Sequence, residues 1–365
     1  MGKRINTATW VESKKYWKIN VQKDGERRSF YSGTPGRKGQ RECNGKADVW
    51  LDDNLIGPES KVENLFKDWL AEIESTTGTA HYNNYNGFWN NRIKKRIGRI
   101  KIEALTEQHL QLVINDAARD GLSKKTMTNL RACMTAFVKY AWRCKATTLI
   151  VENITIPKSA KRGEREILQP DDLKILFKDT ISLYRGKEAF EPLIYAWRFQ
   201  VLTGLRPGEL VGLQWTDIDL ENKTVTVNRS INNLGEETTG KNDNAHRTFV
   251  LMDAAYNTLI EYKSTVTLFS KFVFPKSNGE HMTQGEIYKR WRHYKEYVGI
   301  KSGATPYELR HTFVSIFKDL PEGLLKPIIG HSVNMDSYGT YGHEVSGDLQ
   351  RTAELMQTRW TDVIK

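Results

Sequence analysis

The chain has 365 residues, 55 Lys and Arg against 44 Asp and Glu, and a formal net charge of +11. A hydrophobic content of 39% supports buried cores, and no apolar run approaches the roughly 20 residues of a membrane span, which excludes a membrane-embedded class. Cys43, Cys133 and Cys144 stand far apart without a Cys-x-x-Cys pair, so neither a disulfide framework nor a cysteine zinc site is expected, and a reducing cytoplasm fits.

The N-terminal Met1–Asn6 has no apolar stretch of the kind that opens a secretory signal. The length predicts two or three domains. The charge is unevenly placed. Residues 1–150 hold 27 basic and 16 acidic residues, whereas residues 151–365 hold 28 of each. The excess therefore belongs to the first part of the chain and points to a polyanionic partner there, nucleic acid foremost.

In chain order, Trp17, Ile19 and Val21 alternate with polar residues as in a half-buried strand. Asp24-Gly25 is a turn signal, and Arg27–Tyr31 can return as a second strand. A Gly-rich turn follows, with Gly33, Pro35, Gly36 and Gly39, and residues 45–52 read as a short helix. Arg27, Arg28, Arg37 and Lys38 surround this hairpin and turn, and a basic β-ribbon fits a DNA groove.

Residues 57–150 read as helical. Val62, Leu65, Phe66, Trp69, Leu70 and Ile73 make one apolar stripe, and Thr106 and Ser123 stand where helix caps are expected. Between helices lies the densest basic cluster, with Arg92, Lys94, Lys95, Arg96 and Arg99; with Lys124, Lys125 and Arg131 it can neutralise several phosphates. Residues 151–166 read as a basic linker. A second globular unit starts near Leu168, with helices predicted at 191–203, 208–213, 253–263, 283–298, 307–318, 322–329 and 347–363, and strands at Lys223–Ile231 and His246–Leu251.

The chain contains no phosphate-binding Walker loop and no His-Glu-x-x-His zinc helix. Asp217, Asp219 and Asp243 lack a spacing that supports a metal cluster. The informative segments are Thr203-Gly204-Leu205-Arg206-Pro207-Gly208-Glu209-Leu210, Thr305-Pro306-Tyr307-Glu308-Leu309-Arg310-His311-Thr312, and Ile328-Ile329-Gly330-His331 followed by Tyr341-Gly342-His343. Together and in this order they resemble the catalytic signature of tyrosine recombinases, the phage-type and mobile-element integrases. The resemblance covers residues 166–365 by motif and residues 1–150 only by architecture.

That resemblance implies a multidomain, mainly α fold with small β-sheets. An N-terminal β-rich arm-binding domain (1–56) would precede a helical, SAM-like core-binding domain (57–150), a linker (151–166) and an α+β catalytic domain with a C-terminal helix (167–365). It implies a site-specific recombinase that breaks and rejoins DNA through a 3′-phosphotyrosine, with no metal and no cofactor. A type IB topoisomerase or a resolvase would share the chemistry, and a DNA-binding regulator without catalysis is the alternative from another class.

Residue by residue, the resemblance makes Arg206 and Arg310 the phosphate clamp, with Glu209 orienting Arg206. Tyr341 is the nucleophile in preference to Tyr338, which lacks the Tyr-Gly-His context. Lys241 is the general acid and His331 a phosphate hydrogen-bond donor. Tyr307 stands where the family usually has histidine; it can donate a hydrogen bond but cannot act as a base near neutrality. His311 and His343 read as structural. The implied partners are double-stranded DNA core and arm sites and three further copies of the chain in a synaptic tetramer. A directionality factor and a DNA-bending host protein would assist, at the nucleoid of a bacterial cytoplasm and away from membranes. Leu349, Ala353, Met356, Trp360 and Val363 form a terminal apolar stripe; the resemblance implies docking on a neighbouring protomer, with packing on its own domain as the alternative.

Overall fold

The computed structural model describes residues 4–23, 26–51, 58–161, 163, 165–238, 246–266, 269–330 and 347–365. The chain forms two compact units, residues 1–163 and 164–365. Helices predominate and the sheets are small.

The first unit opens with an antiparallel sheet in the order β1 (Thr9–Val11), β2 (Tyr16–Lys23) and β3 (Glu26–Ser32). Trp17 pairs with Ser32 and Val21 with Arg28. The period-2 alternation places Ile19 and Val21 in one small core with Cys43, Ala47 and Leu51 of α1 (Gly36–Leu51). That helix corrects the sequence reading, which began it at residue 45 and left Arg37 and Lys38 in a turn. Two glycines, Gly36 and Gly39, lower the propensity of its first half, and packing on the sheet overrides them. Gly39 is there for closeness: a Cβ at this position would lie 1.6 Å from the Thr34 carbonyl oxygen.

A separate helical core follows, built from α2 (Val62–Thr76), α3 (Thr79–Phe88), α4 (Lys94–Ile97), α5 (Glu107–Arg119) and α6 (Lys124–Arg143). The stripe read from the sequence is its inner face, with Phe66 stacked 4.2 Å from Trp89. Thr106 caps α5 through the His109 amide, and Ser123 caps α6 through the Thr126 amide. The basic segment expected between helices is itself helical. A π-turn (Trp89–Ile93) joins α3 to α4, with Ile93 and Ile97 buried beneath the cations.

The expected linker is also corrected over its first ten residues. Ile154 is buried in the helical core, and Ile156 and Ala160 pack against it. The Gln111 side chain bonds both the amide and the carbonyl of Thr155.

The second unit contains α7 (Pro170–Lys178), a hairpin of β4 (Ile181–Tyr184) and β5 (Lys187–Phe190), α8 (Ile194–Thr203) and α9 (Pro207–Gly212). A three-stranded antiparallel sheet then runs in the order β10-β7-β6, from β6 (Ile218–Asp219), β7 (Thr224–Val227) and β10 (Arg247–Val250). β8 (Ser230–Ile231) pairs with β9 (Glu237–Thr238). The helices α10 (Asp253–Thr265), α11 (Gln284–Val298), α12 (Pro306–Ile316), α13 (Glu322–Ile329) and α14 (Asp348–Ile364) complete it.

Every residue of α8 is buried, which is why its sequence shows no amphipathic face. Trp197, Phe199, Trp291, Tyr294, Phe313 and Phe317 fill the core around it. The β4–β5 hairpin escaped the sequence reading because Leu183, Tyr184 and Phe190 are exposed and give no clean alternation. The terminal stripe packs on its own unit: Met356 and Trp360 are buried in this core, and the Trp360 ring lies 5.0 Å from Phe177. Of the two readings of this stripe, packing on its own domain is the one these contacts show.

Candidate active site

The motif segments meet because two helices begin in the same way. Arg206 is the N-cap of α9, Pro207 occupies the first turn, and the Glu209 carboxylate accepts from the Arg206 amide at 2.9 Å. Thr305 caps α12 with Pro306 next, and Glu308 accepts from the Thr305 amide at 3.1 Å. The second start places Arg310 one turn into α12. Gly204 brings the two helices together. It ends α8 at φ +66°, and a Cβ there would sit 2.5 Å from Cδ1 of Phe313.

Three arginines converge on the end of α13. Arg247 on β10 donates through Nε to the Ile328 carbonyl at 2.6 Å. Arg310 donates to the Ile329 carbonyl at 2.5 Å and the Gly204 carbonyl at 2.7 Å. Arg206 donates to the Gly330 carbonyl at 3.2 Å. Such terminal carbonyls lack intrahelical partners and form the negative end of the helix dipole, so they suit guanidinium donors.

One carboxylate binds two of these cations. Glu209 Oε1 accepts from Arg206 Nη1 at 2.6 Å and from Arg247 Nη1 at 3.2 Å, while Oε2 accepts from Arg247 Nη2 at 2.7 Å. Burial alone would raise the Glu209 pKa. The Arg247 hydrogen bonds and charge, then those of Arg206, more than offset it and hold the pKa below the ordinary value, so the group is ionised.

Burial, reinforced by Arg206 and Arg247, pushes Arg310 down to about 10, which still leaves it charged at neutral pH. Three guanidiniums facing one carboxylate make the site electropositive. Arg310 is only 3% exposed, whereas the Arg206 side chain is 33% exposed and open to an incoming anion.

Tyr307 lies one turn before Arg310 on α12, is 38% exposed, and meets the His311 ring edge-on at 5.2 Å. His311 Nε2 stands 2.7 Å from Arg165 Nη1; arginine can only donate, so this nitrogen accepts. Burial, then Arg165, lower the His311 pKa and favour the neutral ring. Lys241, His331 and Tyr341, with Tyr338 and His343, lie outside the described residues. Arg247 was missed because no motif marks it. The available signal was a cation opening a short strand that ends in the buried Phe249 and Val250.

The predicted DNA-contacting residues fall into two groups. Arg27 and Arg28 are exposed on β3, with the Arg28 guanidinium 5.6 Å from the Trp50 ring centre, and Arg37 and Lys38 are exposed on α1. In the helical core, Arg92, Lys95 and Arg96 line a concavity of about 520 Å³ together with Asp116, Arg119 and Asp120. Three of these cations are already paired: Arg92 with Asp120, Arg96 through two 2.8 Å bonds with Asp116, and Arg119 with the same Asp116. Lys94, Lys95, Arg99 and Lys125 are exposed and Lys124 is half-buried, while Arg131 is spent on the Ile154 carbonyl at 3.1 Å. Among the described residues no helix is long and apolar enough to cross a membrane.

Known proteins resemble this chain in sequence and in fold. Residues 168–343 match the model described as phage integrase family, and residues 61–117 match the phage integrase N-terminal SAM-like domain. A tyrosine recombinase XerC-like protein of Caldanaerobacter subterraneus subsp. tengcongensis is 26% identical over 252 residues, 63% of this chain and 60% of that protein. The integrase of Staphylococcus phage L54a is 24% identical over 80% of this chain and 90% of its own length. The alignment thus spans less than two thirds of the first relative and most of the second. In fold, the Tn1549 transposon integrase in complex with transposon right end DNA matches 81% of this chain and 99% of its own, with a TM-score of 0.60 and 19% identity. A lambda integrase tetramer bound to a Holliday junction matches 90% of this chain and 96% of its own, with a TM-score of 0.57 and 16% identity.

Proposed function

The chain belongs to the phage integrase family, and on that premise we propose that it is a site-specific DNA recombinase that integrates or excises a mobile element. The observation that carries this reading is the convergence of Arg206 and Arg310 on the adjacent Gly330 and Ile329 carbonyls, beside the ionised Glu209. A phosphodiester under attack gains charge on its non-bridging oxygens, and two pre-positioned guanidiniums stabilise that charge.

In this reading the Tyr341 phenol passes its proton to water as its oxygen attacks phosphorus, the P–O5′ bond breaks, and the 5′-oxygen leaves with a proton from Lys241. His331 and Tyr307 donate hydrogen bonds to the phosphate. The phosphotyrosine retains the bond energy, so a 5′-hydroxyl from another strand reverses the step and rejoins the DNA. Residues 1–56 hold arm sites and residues 57–150 hold the core site. Four copies act on two duplexes, aided by a directionality factor and a DNA-bending host protein, at the bacterial nucleoid. The likeness to integrases solved on DNA, one of them as a tetramer on a Holliday junction, supports this part.

The test is a nicked suicide substrate built from the DNA junctions that flank the gene. The parent protein should form a covalent protein–DNA complex, in EDTA as in its absence, and Tyr341→Phe should form none while still binding DNA. A parent protein that binds this DNA without forming the complex would overturn the enzymatic reading in favour of a non-catalytic DNA-binding protein.

A further inference from the structure

We propose that Arg247 is a positioning residue for the phosphate clamp, acting on Arg206 through Glu209 and on the end of α13 through the Ile328 carbonyl. The inference rests on the recombinase reading. The Arg247 side chain is 6% exposed and its guanidinium is engaged by the Glu209 carboxylate and the Ile328 carbonyl, so its assigned role is to hold these groups in place. Its fork spans both oxygens of Glu209, at 2.7 and 3.2 Å, while its Nε is held by Ile328 at 2.6 Å. These contacts fix the carboxylate plane, and the carboxylate in turn fixes Arg206 by its amide and by Nη1.

The charge balance gives the arrangement its purpose. A buried carboxylate paired with Arg206 alone would neutralise the cation that must meet the phosphate. A second arginine shares that negative charge and leaves the site net positive. The Ile328 bond has a geometric role as well: Ile329 and Gly330, the next two residues, offer the carbonyls that hold Arg310 and Arg206. Lysine has the charge of arginine but not the planar fork that grips two oxygens and a carbonyl at once.

The experiment measures single-turnover formation of the covalent complex by Arg247→Gln, Arg247→Lys, Glu209→Gln and the Arg247→Gln/Glu209→Gln double variant. DNA affinity and melting are followed in parallel. Each rate is taken on the natural phosphodiester and on a neutral methylphosphonate at the cleaved position. Arg247→Gln should bind DNA within about threefold of the parent yet cleave about 100-fold more slowly, as expected for a misplaced catalytic group. Arg247→Lys should lose about tenfold. The double variant should be no slower than the slower single variant, because both act by one route. The loss should shrink on the methylphosphonate, whose charge the clamp no longer has to meet.

Parent-rate cleavage by Arg247→Gln, an additive double variant, or an equal loss on both substrates would overturn the proposal. If Arg247→Gln does not melt cooperatively, Arg247→Lys decides on the same criteria. A parent protein that forms no complex would sink the recombinase reading instead, so the two failures are distinguishable.

Discussion

Arg310 and Arg206 are held by adjacent carbonyls, Arg310 by Ile329 at 2.5 Å and Arg206 by Gly330 at 3.2 Å. The end of one short helix therefore sets the spacing of the two guanidiniums, although 104 residues separate them in sequence (310 − 206). Removing either should cost about 100- to 1,000-fold in covalent-complex formation, the range for losing one preorganised donor at a developing charge. Arg310→Lys should also be slow, because its charge survives but its fork does not. Single-turnover assays on the suicide substrate, with DNA affinity measured alongside, check both.

Tyr307→Phe removes only the phenolic hydrogen-bond donor. The expected result is slower covalent-complex formation with unchanged affinity and melting. Cleavage at the parent rate would show that Tyr307 does not donate to the phosphate.

Glu209 gives the fold an acid-sensitive element. Its pKa is lowered in the folded state from the ordinary 4.5. The carboxylate therefore contributes stability that is fully present above 4.5 and is lost as pH falls through the lowered folded value. Glu209→Gln should flatten the decline in denaturation midpoint as pH falls below the ordinary value of 4.5. An unchanged acid limb would contradict the assignment.

Gly204→Ala meets two obstacles at once, a left-handed backbone and the Phe313 ring. Strain of about 1–2 kcal/mol and overpacking of about 1–3 kcal/mol predict a loss of about 2–5 kcal/mol. Urea denaturation midpoints measure it. A neutral substitution would mean that α8 and α12 can separate without cost.

The helical core tests the DNA-contact reading. Lys94→Ala and Lys95→Ala should each reduce the slope of log affinity against log salt by about 0.9. Asp116→Asn should do the opposite, because it frees Arg96 from its two hydrogen bonds. An unchanged slope in Asp116→Asn would place this face away from phosphates.

The sequence by itself determined the elements whose signals are local. Helix caps at Thr106 and Ser123, the α2 stripe and the Gly204–Glu209 and Thr305–Arg310 segments were legible because each depends on neighbours within one or two turns. Family motifs named Arg206, Glu209 and Arg310 for the same reason: their context is a short run of residues. Tertiary structure decided the rest. Only packing on the β-sheet extends α1 through Gly36 and Gly39, against their propensity. Burying Met356 and Trp360 set α14 on its own unit, since an apolar stripe does not specify what covers it. Pairing with Asp116 and Asp120 neutralised Arg96 and Arg92, which sequence counted as available charge. Arg247 joined the site through Glu209, 38 residues away, and through Ile328, 81 residues away. A hydrogen-bonded ion pair between distant segments leaves no periodicity in the chain, so this part of the site became visible only once the chain had folded.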